Sequence, residues 1–286
     1  MEPEVLIIEI TKEGVLKVFS TGVSYHFCSR EEAIRYFDKK LHLFLMVPSA
    51  MNKKQIENIS SFFFSSSKIE SISVMYASVA VSLAVGIQNL VVVELEYGAR
   101  GDILYSVDLV NKSALACTAS ISSRRKAEKE RKDTGEGKKD AREEEIEAEE
   151  ANAAGGGGAL GRGRLEEVLD KIAEHASSHV CRSSTSSMYI RGDKSLGEEV
   201  QNELKRRGVI VLDEESRGEE AEGGSGYVLV GFPQYFEKAM PHNLLPESDV
   251  AYVGAVLTTM IKYFEIKEVN TREDFEAGNT KYLILN

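Results

Sequence analysis

The sequence predicts an α/β protein with two lobes, and three observations point to it. Stretches with strand periodicity alternate with stretches of helix periodicity along the chain. Each half repeats a β-hairpin followed by a helix, and a charged, glycine-rich segment divides the halves. The 286 residues, 42% of them hydrophobic, suffice for one large domain or two smaller lobes with cores of their own.

In the first half, "EVLIIEI" (4–10) and "GVLKVFS" (14–20) form a predicted hairpin over "TKEG", with "VSYHFCS" as a third strand. "SREEAIRYFDKKL" suits a short helix, with Ser29 as N-cap, acids in its first turn and lysines in its last. "HLFLMVPS" reads as a strand ended by Pro48. "NKKQIENISSFFFSS" reads as a helix with Ile56, Ile59 and Phe63 on one face. "KIESISVMY" is a strand, and "ASVAVSLAVG" a helix of small residues closed by Gly86. "NLVVVELEYGARGDILYSVDLV" (89–110) is a strand pair around a glycine turn.

The break follows. Residues 124–150 read "RRKAEKERKDTGEGKKDAREEEIEAEE", basic first and acidic last, and "ANAAGGGGALGRGR" comes next. Such a composition buries too little apolar surface to offset its ordering entropy, so 124–163 is read as a disordered or partly helical insertion. "DEESRGEEAEGGSG" (213–226) is a second soft segment.

In the second half, "RLEEVLDKIAEHASSH" (164–179) is an amphipathic helix with Leu165, Val168, Leu169 and Ile172 inward. "SMYIRG" is a strand and "SLGEEVQNELKRRG" a helix ended by Gly208. "VIVLD" and "YVLVGFP" are strands, and "ESDVAYVGAVLTTMIKYFE" is a long apolar helix. "NTREDFEAGN" is a short helix capped by Asn270 or Thr271.

A net charge of −11 disfavours direct nucleic-acid binding, which needs clustered Lys and Arg. Three scattered cysteines imply no disulfide framework and a reducing compartment. The acidic start with its short apolar run is not read as a signal peptide, and no stretch has the length of a membrane span, so the expected location is nuclear and/or cytoplasmic.

Isolated motifs are weighed against plainer readings. His175 and His179 lie one helical turn apart before Cys181, but no fourth metal ligand is evident, and a solvated helix end accounts for them. "RGD" (191–193) matches an adhesion tripeptide by coincidence. "GGGGALGRG" follows no strand and so fails as a dinucleotide loop. "SFFFSSS" is read as core flanked by a loop, with an apolar contact patch as the alternative. "KAMPHNLLP" (238–246) is a candidate binding loop.

Three stretches together resemble the actin superfamily, specifically the actin-related proteins. "YVGAVLTTMIKYFEIKEVNTREDFEAG" is similar to the family's C-terminal end, with Gly254, Phe264, Thr271, Arg272, Glu273, Phe275 and Gly278 in place. "SVMYASVAVSLAVGIQNLVVVELEYG" resembles the strand, helix and strand leading to the second phosphate loop. "MYIRGDKSLGEEVQNELKRRG" resembles the adenine-side loop and helix, with Gly192, Gly197, Glu203 and Leu204 in place. "EVLIIEITKEGVLKVFS" stands where the first phosphate hairpin belongs. The resemblance implies an actin-like two-lobed α/β fold, shared with sugar kinases and heat-shock chaperones, whose two outer subdomains are reduced or missing. Its first lobe spans 1–88 plus 249–286 and its second 89–123 plus 164–248.

An actin-type ATPase grips phosphates with two glycine-bearing hairpin turns, since backbone N–H groups must approach the phosphates closely. The first turn here reads Glu9, Ile10, Thr11, Lys12, Glu13, without the family's glycines and serine. The second reads Glu94, Leu95, Glu96, Tyr97, Gly98, with one glycine. The adenine-side loop reads Arg191, Gly192, Asp193. Carboxylates at Glu13 and Glu96 would repel a polyphosphate, which Lys12 would offset in part.

Glu9, Lys12, Glu94, Gly98, Gly192 and Gly197 are therefore read as vestigial cleft positions, with no catalytic or metal-binding residue. The resemblance then implies a non-catalytic scaffold without a cofactor, ATP with magnesium being the alternative. It would bind partner proteins: a helical segment of a large ATPase subunit and conventional actin, in a chromatin-remodelling or histone-modifying complex. Tyr252, Met260, Phe264 and Phe275 are the expected partner-binding residues. The alternatives are a cap on the dynein-activator filament and a weak actin-like ATPase. Neither nucleic acid nor membrane is an expected partner.

Overall fold

The computed structural model describes residues 4–12, 14–19, 25–29, 32, 40–97, 103–112, 114–122, 166, 169–170, 186–207, 227–233, 246–260 and 269–279. They form two mixed sheets and five helices. The first sheet contains β1 (Glu4–Ile10), β2 (Leu16–Phe19), β3 (Tyr25–Cys28), β4 (Leu41–Val47), β5 (Ile69–Tyr76) and β11 (Asn270–Thr271). The second contains β6 (Asn89–Tyr97), β7 (Ile103–Asn111), β8 (Ala114–Ser122), β9 (Ser186–Gly192) and β10 (Tyr227–Leu229). The helices are α1 (Lys53–Phe64), α2 (Ala77–Val85), α3 (Lys194–Arg206), α4 (Pro246–Met260) and α5 (Arg272–Glu276).

The two sheets share one plan. In the first, β3, β2 and β1 form an antiparallel meander, β4 and β5 continue in parallel beside β1, and β11 closes the edge. In the second, β8, β7 and β6 form the meander, and β9 and β10 continue in parallel beside β6.

Five layers result. On the outer face of the first sheet, Ile56, Ile59, Phe63 and Phe64 of α1 meet Leu6, Ile8 and Ile10 of β1. Between the sheets lie α2 and α4, whose Ala80, Ala84, Val250 and Ala251 share a core with Ile7, Phe44 and Met46 on one side and Leu90, Val92 and Tyr189 on the other. Outside the second sheet, Leu196, Val200 and Leu204 of α3 cover Val91, Val93 and Leu95. α2 is buried nearly all round because no polar face is called for between two sheets. Its small side chains let α4 approach so closely that a Cβ on Gly254 would lie 1.8 Å from the Ala80 carbonyl oxygen.

Local signals set the element ends. Asn52 and Gln55 form a capping box on α1, with 3.0 and 2.9 Å bonds. Gly86 ends α2 at φ 73°. Thr271, not Asn270, caps α5: its hydroxyl accepts from the Asp274 N–H at 3.1 Å, while Asn270 is buried in β11. Arg272 then ties the C-terminal segment to the first sheet, donating to the carbonyls of Phe64, Ser66 and Ile69.

Two elements depart from the sequence reading: the two-residue β11, where only a helix cap is read, and β8, since no strand is read over 114–122. "ALACTASIS" carries few bulky β-formers, yet pairs with β7 over its whole length as β8. The expected helices over 29–41 and 164–179 lie outside the described residues, apart from Ser29, Glu32, Lys40 and Leu41 in the first and Glu166, Leu169 and Asp170 in the second. The insertion 124–163, "VIVLD" and residues 238–245 of the candidate loop also lie outside them. Among the described residues no helix is long and apolar enough to cross a membrane.

Candidate functional site

Strand alternation determines what faces the space between the sheets. In β1 the inward row is Val5, Ile7 and Glu9, and in β6 it is Leu90, Val92, Glu94 and Glu96. In β9 it is Tyr189 and Arg191, and in β7 Ser106, Asp108 and Val110. Each of the β1, β6 and β9 rows is apolar where α2 and α4 cover it and charged towards the C-terminal end of the strand. Charges from both sheets therefore meet at those ends, which is where α/β sheets place their ligands.

They meet as pairs. Arg191 Nη2 donates to Glu9 Oε1 from the first sheet and lies 3.0 Å from Glu94 Oε1 in the second. Lys12, in the β1–β2 turn, extends Nζ to within 3.1 Å of Glu94 Oε2 and 3.0 Å of the Glu94 carbonyl oxygen. The Lys12 N–H donates to Glu96 Oε2 at 3.1 Å, and the Ser106 hydroxyl to Glu94 Oε2 at 3.4 Å. Glu9, Glu94 and Arg191 are only 4–5% exposed.

The electrostatics follow from the census. Three carboxylates face two cations, an excess of one negative charge when all are ionised. Burial alone would raise Glu94, but Lys12 and Arg191 outweigh it and hold the carboxyl at about 2. Burial and the neighbouring Glu94 push Glu96 above its ordinary value, against the pull of Lys12 and Arg191. Burial opposes the charge on Arg191, yet Glu9 and Glu94 raise its pKa, so it stays a cation.

The signs of these shifts give a pH test. The stability from Glu94 is present above the ordinary value of 4.5 and is lost as pH falls towards 2. Glu96 acts oppositely, since its ionised form costs stability at neutral pH and the cost disappears as pH falls through its raised value. Glu96→Gln keeps an oxygen for the Lys12 N–H. It is expected to raise Tm by a few degrees at pH 7, with the gain vanishing below the ordinary carboxylate range in melts across pH.

A second polar bridge lies beside the first. Ser49, just beyond β4, donates to Asp108 Oδ1 at 2.6 Å; Thr118 of β8 donates to the same oxygen at 2.6 Å and to Ser49 Oγ at 3.0 Å. Burial raises the Asp108 pKa, and the two hydroxyls partly offset it. A buried Lys17–Asp249 pair joins β2 to α4.

The structure brings together Glu9, Lys12 and Glu94 of the sequence-read positions. Gly192 borders the same network: at φ +121°, its Cβ position would lie 1.8 Å from the Leu95 carbonyl oxygen. Asp193 caps α3 by accepting the Leu196 N–H at 3.1 Å. Gly197 sits in α3 on a cleft of about 290 Å³ that Arg191, Gly192 and Lys194 also line. Gly98 and Phe264 lie outside the described residues, as do His175, His179 and Cys181. The sequence reading gave Arg191 no bridging role and missed Ser49, Asp108 and Thr118, although a charge on the inward row of an apolar strand is a usable signal for Asp108.

Of the expected partner-binding residues, Tyr252 stacks on Phe19 with ring centroids 4.3 Å apart, and Phe275 lies against Phe64 at 5.0 Å. Both serve internal packing. Met260 ends α4 and is 73% exposed. The phenylalanines of "SFFFSSS" contribute to the core, Phe63 and Phe64 being buried.

Among the described residues, no group of three or more His, Cys, Asp or Glu is placed to hold a metal ion. The cations at the strand ends already have carboxylate partners, and the Lys12 N–H of the first turn is taken by Glu96. What the arrangement does chemically is join two sheets. No protein-family model matches the chain, and neither does any curated protein.

Proposed function

We propose that this chain is a divergent actin-related protein that works as a non-catalytic scaffold, binding partner proteins within a multiprotein complex. Two sheets of the same strand order, with the C-terminal ends of β1 and β6 joined by charge pairs, support the actin-like part of the reading. The observation that carries the non-catalytic part is the occupied cleft. Glu96 satisfies the turn N–H of Lys12, and Arg191 bridges Glu9 and Glu94, so a polyphosphate would face an excess negative charge.

The setting favoured is a chromatin-remodelling or histone-modifying complex, with a helical segment of a large ATPase subunit and conventional actin as partners. That preference rests on the sequence resemblance and on the acidic, basic and glycine-rich insertion at 124–163. Native affinity purification with mass spectrometry of the bound proteins tests it. Recovery of a large helicase-type ATPase with histone-handling subunits is expected. Recovery of dynein-activator subunits instead would make the protein a filament cap and overturn the assignment.

A further inference from the structure

We propose that Glu9, Arg191 and Glu94, with Lys12 and Glu96 beside them, form a permanent latch that holds the two sheets closed with the protein's own guanidinium as the bridging cation. The inference rests on the geometry of these five side chains and not on the identity of any partner.

One nitrogen, Arg191 Nη2, contacts a carboxylate from each sheet. Separating the strand ends would strip Arg191 from Glu9 and leave a buried charge short of its partner, the costly way to break a buried ion pair. The Lys12 contacts add a second bridge between the sheets, because the β1–β2 turn belongs to the first sheet and Glu94 and Glu96 to the second. Ser49 and Asp108 add a third, neutral on its first-sheet side.

The Arg191 and Lys12 bridges lie at the C-terminal ends of β1 and β6, beyond the apolar rows that α2 and α4 cover, while the Ser49–Asp108 bridge lies nearer the start of α2. Opening there would be a local event that leaves the α2–α4 contact in place. Because the bridging groups are covalent parts of the chain, closure does not depend on the concentration of any ligand.

The experiment is hydrogen exchange on the full chain with Arg191→Ala. The expected result is exchange at least about a hundredfold faster at the ends of β1 and β6. Exchange in the buried parts of α2 and α4 is expected to be little changed. With the guanidinium removed, Glu9 and Glu94 face each other without their shared cation, a pair of carboxylates that draws a small cation into the vacated position. Tens of millimolar guanidinium should therefore restore slow exchange, whereas sodium at equal ionic strength should not. That rescue separates a bridging cation from a side chain that merely fills space.

Unchanged exchange at both strand ends would overturn the latch. So would acceleration spread evenly over all elements without guanidinium rescue. Glu9→Gln keeps the volume and removes only the first-sheet charge. It is expected to speed exchange at the end of β1, and it carries the test if Arg191→Ala does not fold. Wild-type exchange in a folded Glu9→Gln protein would overturn the proposal equally.

Discussion

Gly254→Ala is expected to cost about 3 kcal/mol or more, read as a lower urea midpoint at unchanged slope. The new methyl would lie 1.8 Å from the Ala80 carbonyl oxygen and 2.6 Å from its carbon. Those are main-chain atoms of α2, so no side-chain rotation relieves the contact. The two central helices would have to move apart, and the core shared by both sheets would loosen with them. Gly254→Val should be worse. Gly197→Ala is the contrasting case. Its methyl would meet only Ile190 Cγ2 at 3.8 Å, inside a helix where alanine is preferred, so a gain of up to about 1 kcal/mol is expected.

Gly192→Ala should cost as much as Gly254→Ala, for two reasons. The residue sits at φ +121°, where an L side chain is strained, and its Cβ position is 1.8 Å from the Leu95 carbonyl oxygen. The same carbonyl accepts the Asp193 N–H at 3.1 Å, which fixes the entry into α3. A loss of about 3 kcal/mol is therefore expected in equilibrium unfolding. A cost under about 1 kcal/mol would show that β9 can shift away from β6 without penalty. Gly192 has a structural reason to be there: it lets β9 turn past β6, whether or not a ligand binds.

Much of the architecture was legible because it is local. β1, β4, β5 and α2 follow from unbroken apolar runs with clear ends, and α1 from Ile56, Ile59 and Phe63 at helical spacing after Asn52. β8 was not legible, since its small residues give no strong strand signal and its place is set by pairing with β7. The site was legible in part. The resemblance singles out Glu9, Lys12 and Glu94 as vestigial cleft positions, and Glu96 as a carboxylate that would repel a polyphosphate.

What the sequence did not reveal is that these charges pair with one another. Glu9 and Arg191 are 182 positions apart, and their contact depends on how two sheets face each other across a helix pair. The Lys12 N–H bond to Glu96 spans 84 positions. The buried Lys17–Asp249 pair spans 232 positions and is set by packing in the same way. Periodicity places a charge on a face, but which charge lies opposite is decided only by tertiary packing.

The space between the C-terminal ends of β1 and β6 is filled by the protein's own charges. Calorimetric titration of the full chain with ATP and magnesium tests it most directly. No saturable heat is expected at millimolar nucleotide, with or without the metal. A saturable, magnesium-dependent binding isotherm of one nucleotide per chain would contradict it, and would make the Lys12, Glu94 and Arg191 cluster a candidate nucleotide site.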